Sequence, residues 1–323
     1  MFWRKKGSPD LVLFFASDLH GSTICFKKFV NAAEFYGANV LVMGGDSTGK
    51  AILSISEQKD GTFRSHFSGE EVHLKDEAEV GEFAHRVSNM GYYPAVMSEG
   101  EFREIKDDGD ARKRLFKRLV IERIEEWCQF ATEKLSGTDV RLLTAPGNDD
   151  FEEIDDVLRR VPSVQFHEME VTDLDGYQVL HCGGSTPTPW NTEREYTEAN
   201  YEAKFEQLVS QVKDMTRCIF NVHVPPHNTA LDLCPKLDEH LQVVYDMGTP
   251  VSMHGGSTAV RAAIERHQPL LGLHGHIHEG RGTIKIGNTT CVNPGSVYPE
   301  GILQGVLVSL AGNEVRSVQL TQG

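Results

Sequence analysis

Apolar residues along this chain fall into short continuous runs separated by turn chemistry. That is the pattern of strands buried on both faces, not of half-exposed edge strands. The clearest runs are Leu11–Ala16, Val40–Met43, Val140–Ala145, Cys218–Val222 and Leu270–Leu273, and each predicts a short buried strand. After the first run, Ser22 is placed to cap a helix reaching about Tyr36, and Gly37 to end it. The order strand, helix, strand predicts a βαβ unit and hence a parallel pair. Further along, Phe205, Leu208, Val212 and Met215 share one face of a helix expected over 193–215, preceded by a Pro-rich loop at 185–191. From Thr283 to Val318 the pattern is β-rich, with turn signals at Gly287-Asn288, Pro294-Gly295 and Gly312-Asn313.

A long departure separates the second and third strands. Roughly a hundred residues lie between Asp46 and Asn148, far more than an ordinary crossover needs. The segment has its own periodicities. Leu53 and Ile55 alternate with serines, Asp60-Gly61 is a hairpin signal, and Phe63, Ser65 and Phe67 alternate with polar residues. A helix is expected over 77–90. A long amphipathic one over 110–135 carries Phe116, Val120, Ile124, Trp127, Ala131 and Leu135 on one stripe. The basic run from Arg112 to Arg118 reads as a solvated face balanced by Glu122, Glu125 and Glu126. No repeat, low-complexity tract or linker is visible. The expected organisation is one domain over 1–323 with an insertion at about 51–135, whose hairpin offers a lid or an edge for pairing between copies.

Each of the five runs leads into a donor-bearing motif. These are Asp18-Leu19-His20, Gly44-Gly45-Asp46, Gly147-Asn148-Asp149, His223 before Val224-Pro225-Pro226, and Gly275-His276-Ile277-His278. Any one of them occurs by chance. Their common position matters, because sites in α/β sheets form in the crevice beyond the carboxyl ends of the strands. The pooled set is four imidazoles, two carboxylates and one amide. With no thiolate it disfavours structural zinc and iron–sulfur clusters, and its imidazoles disfavour calcium. Mixed nitrogen and oxygen donors suit Mn, Fe, Co, Ni or Zn. Seven donors exceed one ordinary ion and suit two sharing a carboxylate. Two such ions, about 3.5–4 Å apart, clamp the attacking and leaving oxygens of an in-line displacement and supply hydroxide near neutral pH. The bland alternatives are a core histidine at 223 and a chance strand pattern at 276–278. His254 and His227 are open between substrate contact, orienting a ligand and an ordinary loop role, and Asp150 is a further candidate for the same periphery.

Composition narrows the partners. With 39% hydrophobic and 24% charged residues the chain is ordinary for a globular protein, and no apolar run approaches a membrane span. The start, Met1-Phe2-Trp3-Arg4-Lys5-Lys6, faintly resembles a secretory signal. The apolar stretch behind it is short and lacks a cleavage site, so a frayed tail before the first strand is expected. The six cysteines form no C-x-x-C pair and lie largely in apolar runs, the usage of reduced core thiols in a cytoplasmic protein. A net charge of −15 excludes general binding to nucleic-acid phosphates. It leaves a small phosphate substrate open, since bound dications would invert the local field.

Taken in order, D-x-H, G-D, G-N, an isolated His and G-H-x-H, these motifs resemble those of the calcineurin-like metallophosphoesterases, from about Val12 to Ser296 apart from the insertion. The resemblance implies a four-layer αββα sandwich of two mixed β-sheets with the site above the strand ends. It implies that Asp18, His20 and His278 hold one metal, that Asn148, His223 and His276 hold a second, and that Asp46 bridges them. The ions implied are Mn, Fe or Zn, with Mn the first choice. The run Asn293-Pro294-Gly295-Ser296 resembles the segment that closes the family's site. The implied activity is two-metal hydrolysis of small-molecule phosphate esters, diesters favoured. A scaffold on the same fold and a metal hydrolase of another bond are the alternatives.

One departure from the family pattern stands out. Asp149 occupies the place of a histidine that usually donates a proton or contacts the phosphate. A carboxylate beside two dications stays ionised, so Asp149 is expected to be a poor general acid, and aryl or nucleoside leaving groups are expected to suit the site. Trp190, Tyr196 and Tyr201 are candidates either for a substrate cap or for packing.

Overall fold

The computed structural model describes residues 11–323; the opening segment discussed above lies outside the described residues. The first strand, β1 (Leu11–Ala16), leads through α1 (Thr23–Tyr36) to β2 (Val40–Met43). Ser22 accepts from the Cys25 amide at the start of α1, and Gly37 ends it in the left-handed region. Then come β3 (Ile52–Glu57), β4 (Phe63–Phe67), β5 (Glu70–Leu74), α2 (Glu77–Asn89), β6 (Tyr93–Ser98), α3 (Glu99–Asp107) and the long α4 (Gly109–Leu135). The main fold resumes with β7 (Arg141–Thr144), α5 (Glu153–Arg159), β8 (Val164–Phe166), β9 (Glu170–Leu174), β10 (Tyr177–Cys182), α6 (Glu198–Val209) and β11 (Cys218–Val222). Two short ribbons pair β12 (Leu233–Pro235) with β15 (Ser252–His254), and β13 (Tyr245–Asp246) with β14 (Thr249–Pro250). The chain ends with α7 (Thr258–His267), β16 (Leu271–Leu273), β17 (Gly282–Ile286), β18 (Thr289–Asn293), β19 (Gln304–Ala311) and β20 (Glu314–Gln322).

Two six-stranded mixed sheets form the centre, in the orders β20-β19-β1-β2-β7-β8 and β17-β18-β16-β11-β10-β9. Each holds a block of parallel strands: β1, β2, β7 and β8 in one, and β10, β11, β16 and β18 in the other. Strand alternation assigns the layers. Leu11, Leu13, Phe15, Val40 and Val42 meet Val179, Ile219, Leu271 and Val292 between the sheets. Phe14, Leu41 and Met43 point outward into α1, α4 and α5, while Phe220 and Val222 point outward into α6 and α7. Helix, sheet, sheet, helix is therefore the order of layers, a four-layer αββα sandwich. Strands apolar on every residue are explained by it, since both faces are covered.

The stretch from 51 to 135 is not uniform. Its first part forms a small sheet, β5-β4-β3-β6, with its own core of Leu53, Ile55, Phe63, Leu74, Val80, Phe83 and Val87 under α2. Its last helix, α4, instead covers the first main sheet through Val120, Ile124, Trp127 and Ala131. The apolar stripe seen in the sequence therefore packs on the principal core.

The helix expected over 193–215 is shorter. It begins only after Thr197, which caps it by accepting from the Asn200 amide, because residues 185–195 form a loop in which Ser185 bridges Glu195. Val212 and Met215 still pack against the neighbouring core from the turn that follows.

Two buried contacts tie the added sheet to the loops after β1 and β2. The Tyr93 hydroxyl accepts from the Gly49 amide at 2.8 Å, and Arg123 of α4 donates to Gly21 O at 2.7 Å and to Ser88 Oγ at 3.0 Å. Tyr93→Phe leaves a buried amide without an acceptor, so it should lower unfolding free energy by about 1–3 kcal/mol. Urea denaturation measures this, and an unchanged midpoint would show that the amide has another partner.

Candidate metal centre

The carboxyl ends of β1, β2 and β7 in one sheet and of β11 and β16 in the other open onto the same seam between the sheets. Backbone hydrogen bonds zip their loops together. Asp18 N donates to Gly45 O (2.9 Å), His20 N to Asp46 O (2.9 Å) and Gly21 N to Ser47 O (2.8 Å). Within the second sheet Gly275 N donates to His223 O at 2.8 Å, and across the seam His276 N donates to both Asp18 carboxylate oxygens at 3.0 Å. Two glycines make the approach possible. A Cβ on Gly147 would collide with the Asp46 carboxylate, and one on Gly275 with Ser17 and Asp18.

Three groups of donors result: Asp18, His20 and His278; Asp46, His223 and His276; and His20, Asp46 and Asp149, each with ligand atoms within 4.8 Å of one another. His20 Nε2 and His278 Nε2 lie 3.0 Å apart. That is about the separation of two nitrogens at right angles on one ion, each bound at roughly 2.1 Å. Asp46 Oδ2 lies 3.3 Å from His223 Nε2 and 3.8 Å from His20 Nε2, so this carboxylate stands between the two groups.

Outer hydrogen bonds set the imidazole tautomers. His223 Nδ1 donates to Gly44 O (2.9 Å) and His20 Nδ1 to Thr48 O (3.2 Å), so each ring turns its Nε2 inward. Asn148 is turned in the same way. Its Nδ2 donates to Thr192 Oγ1 at 3.0 Å and to Asp149 Oδ1 at 3.1 Å, while Oδ1 points inward. His223 Nε2 and Asn148 Oδ1 are buried polar atoms without a hydrogen-bond partner. Such orphans are costly unless something binds them, and these two belong to the predicted ligand set. Backbone strain marks the same places, with Asp18 (φ 58°), His20 (φ 41°), Asp46 (φ 48°) and His276 (φ 66°) in the left-handed region. Strain of this kind gathers at ligand clamps. The six histidine and aspartate donors therefore fit divalent transition ions, with Asn148 buried in the loop whose Asp149 amide meets Asp46.

Electrostatics follow from packing acids and imidazoles in a dry place. Burial alone would raise the Asp18 carboxyl, but its hydrogen bond to His278 and the nearby imidazoles hold it well below the usual range. Asp46 is pushed up by burial and by Asp149 and Asp18. Burial opposes charge on His223, yet the Asp46 and Asp18 carboxylates outweigh it and push His223 up. Burial holds His20 well below the usual value, and burial with the His223 charge takes His276 down to about 3.

The remaining candidates sit around this centre in supporting places. Asp150 accepts from the amides of Ser47 (3.2 Å), Thr48 (2.9 Å) and Gly147 (2.9 Å), joining the loops that carry Asp46 and Asn148. His254 and His227 lie outside the three donor groups. His254 Nδ1 is 2.8 Å and His227 Nδ1 3.6 Å from the fully buried Asp232, which also accepts from the amides of Asn228, Thr229 and Gly256. Asn293 donates to the carbonyls of Gly275 and Ile277, and Ser296 Oγ to Asp18 O at 2.7 Å, so the 293–296 run braces the cage. Tyr201 is core, whereas Trp190 is exposed.

The sequence reading did not find Thr192, Glu195, Lys50 or Tyr298. Thr192 Oγ1 donates to Glu195 at 2.8 Å while accepting from Asn148. Lys50 Nζ lies 2.9 Å from Asp149 Oδ2, and the Tyr298 ring centroid is 4.9 Å from that of His20. Lys50 follows the Gly-Asp motif by four positions, a spacing that could have flagged it.

A His223 held in its charged form must lose a proton before its Nε2 can ligate. Its folded value lies above the ordinary one, so the proton is present at pH 7, and ion binding should tighten as pH rises. Loading Mn at pH 7 should release about one proton for this residue. Calorimetry in buffers of different ionisation enthalpy reads that number, and zero release would refute the assignment.

Comparison with known proteins agrees with the fold. The chain is 32% identical over 178 residues to the uncharacterized protein MJ1162 of Methanocaldococcus jannaschii, a match spanning 54% of this chain and 69% of that one. One crystal structure aligns with TM-score 0.56 and 17% identity over 96% of this chain and 98% of its own. TT1561 of Thermus thermophilus aligns with TM-score 0.50 and 17% identity over 97% and 98%. No family model matches the chain. The ordered motifs of this chain converge at the seam of an αββα sandwich, the fold it shares with these two structures.

Proposed function

We propose that this protein hydrolyses small phosphate esters, diesters in preference to monoesters, using two divalent ions of which Mn is the first choice. The observation that carries the reading is the pair of orphaned inward atoms, His223 Nε2 and Asn148 Oδ1, set among the Asp18, His20, Asp46, His276 and His278 donors. Asp18, His20 and His278 would hold one ion and Asn148, His223 and His276 the other, with Asp46 between them. When bound, such ions supply an acidified water and positive charge for the phosphoryl oxygens.

The chain's own groups then orient and select. The Asp149 amide donates to Asp46 Oδ1 at 2.9 Å, which holds that carboxylate in its central position. The Asp149 side chain presents negative charge at the rim, which a dianionic monoester meets with more repulsion than a monoanionic diester. With this carboxylate standing where a histidine proton donor would be, substrates whose leaving oxygen departs without protonation are favoured. The reduced cysteines suit a cytoplasmic setting, and the sheet at 52–98 would serve as a lid or a contact between copies. Among the described residues no helix is long and apolar enough to cross a membrane.

A panel of aryl phosphate mono- and diesters under Mn, Fe(II) and Zn tests the reading. Turnover should require a divalent ion, and kcat/KM should be higher for bis(p-nitrophenyl) phosphate than for p-nitrophenyl phosphate. No turnover with any ion would refute it. Asp46→Asn or His223→Ala should lower kcat by at least about a hundredfold, with bound metal counted by elemental analysis falling below two per chain. Across a leaving-group series, wild type should show a steep rate dependence and Asp149→His a flatter one. Equally flat lines would exclude the role given to Asp149.

A further inference from the structure

The rim beside Asp149 holds a cation and an aromatic ring that the fold does not require. Lys50 is half exposed and its ammonium meets Asp149 Oδ2 at 2.9 Å. The same carboxylate oxygen lies 3.7 Å from His20 Nδ1, so Lys50 stands one side chain away from the donor cage. Its Nζ also lies 5.7 Å from the centre of the Trp190 ring. Trp190 is 58% exposed and contributes to none of the hydrophobic clusters. It is not carried on loose chain. The Glu195 carboxylate accepts from the amides of Thr188 (3.0 Å) and Thr192 (2.9 Å) and from both of their hydroxyls, closing the loop on either side of the tryptophan. Through Thr192 the same loop holds Asn148.

We propose that Lys50 and Trp190 form the leaving-group subsite of this centre, and that it takes a planar aromatic group, an aryl or nucleobase-bearing alcohol, esterified to phosphate. The inference rests on the phosphoesterase reading above and adds the substrate class to it. An ammonium has three N–H donors and Asp149 takes one, leaving two for the substrate. In hydrolysis the oxygen of water bonds to phosphorus and its proton passes to solvent. The bond from phosphorus to the leaving oxygen breaks, and its electron pair stays on that oxygen. Lys50 donates a hydrogen bond to the oxygen as the charge develops and keeps its own proton, and the departed alkoxide or phenolate is protonated by solvent. Fixed positive charge aimed at a developing oxyanion is worth about a hundredfold or more in rate. Asp149 is here the positioning residue for Lys50. Trp190 offers its face to the planar group, because stacking on an indole tolerates many rings and strengthens binding by roughly tenfold or more.

The test uses the full chain loaded with Mn. Lys50→Met should lower kcat on phenyl esters by about a hundredfold and on p-nitrophenyl esters much less, steepening the leaving-group dependence, and Lys50→Arg should restore part of the loss. Asp149→Asn, which keeps the ammonium but frees it, should give an intermediate slope. For the aromatic half, calorimetry reads binding without turnover. Phenylphosphonate should bind wild type about tenfold more tightly than methylphosphonate, and Trp190→Ala should abolish that difference while circular dichroism shows the fold retained. If wild type hydrolyses aryl phosphates but Lys50→Met keeps the wild-type slope, or Trp190→Ala keeps the phenyl preference, the subsite is wrong. If wild type hydrolyses no phosphate ester with any divalent ion, the phosphoesterase reading itself has failed.

Discussion

A single buried carboxylate, that of Asp18, spans the seam on which the molecule is organised. It leaves the end of β1 in one sheet and accepts from the His276 amide beyond β16 in the other, at 3.0 Å to each oxygen. Its backbone is held in turn by Gly45 O and Ser296 Oγ. A charge placed so deep is tolerated only when its oxygens are satisfied, and here the His276 amide and the neighbouring imidazoles satisfy them. The apolar layer between the sheets supplies most of the stability, but it does not dictate how the sheets register at their carboxyl edges. Asp18 does, and the positions of the other donors follow from that registration.

Left-handed backbone at Asp18, His20, Asp46 and His276 is the other side of this arrangement. Each such residue costs on the order of 1 kcal/mol or more. The zipper of backbone hydrogen bonds between the loops at 18–21 and 45–47 offsets the strain and leaves the side chains few alternatives. Rigid loops of this kind suit a site whose donors must stay aligned before anything binds.

Much of this was legible in the chain because the evidence was local. Continuous apolar runs marked β1, β2 and β11 to the residue, and Ser22 with Gly37 marked both ends of α1. The motifs were readable because each follows its strand within a few residues. What was not legible depends on partners distant in sequence. No local pattern shows that α4 leaves the small sheet to cover the main one, since an apolar stripe does not name its neighbour. The start of α6 was placed too early because the Glu195 carboxylate serves a loop, not a helical turn. For His227 and His254 the chain leaves substrate contact, ligand orientation and a plain loop role open, and only the distant Asp232 gives them a common partner. Lys50 gained meaning only when Asp149, about a hundred residues later, proved to lie beside it.

The short chain of bonds from Glu195 through Thr192 to Asn148 has a consequence for how such a protein can change over generations. Glu195 fixes the direction of the Thr192 hydroxyl, and that hydroxyl fixes which face of the Asn148 amide looks inward. The loop displaying the outer aromatic wall and the amide that looks into the cage thus share one support. Selection acting on that loop to admit a different molecule would also alter how firmly a donor is held, so drift in preference and drift in ion affinity are inherited together.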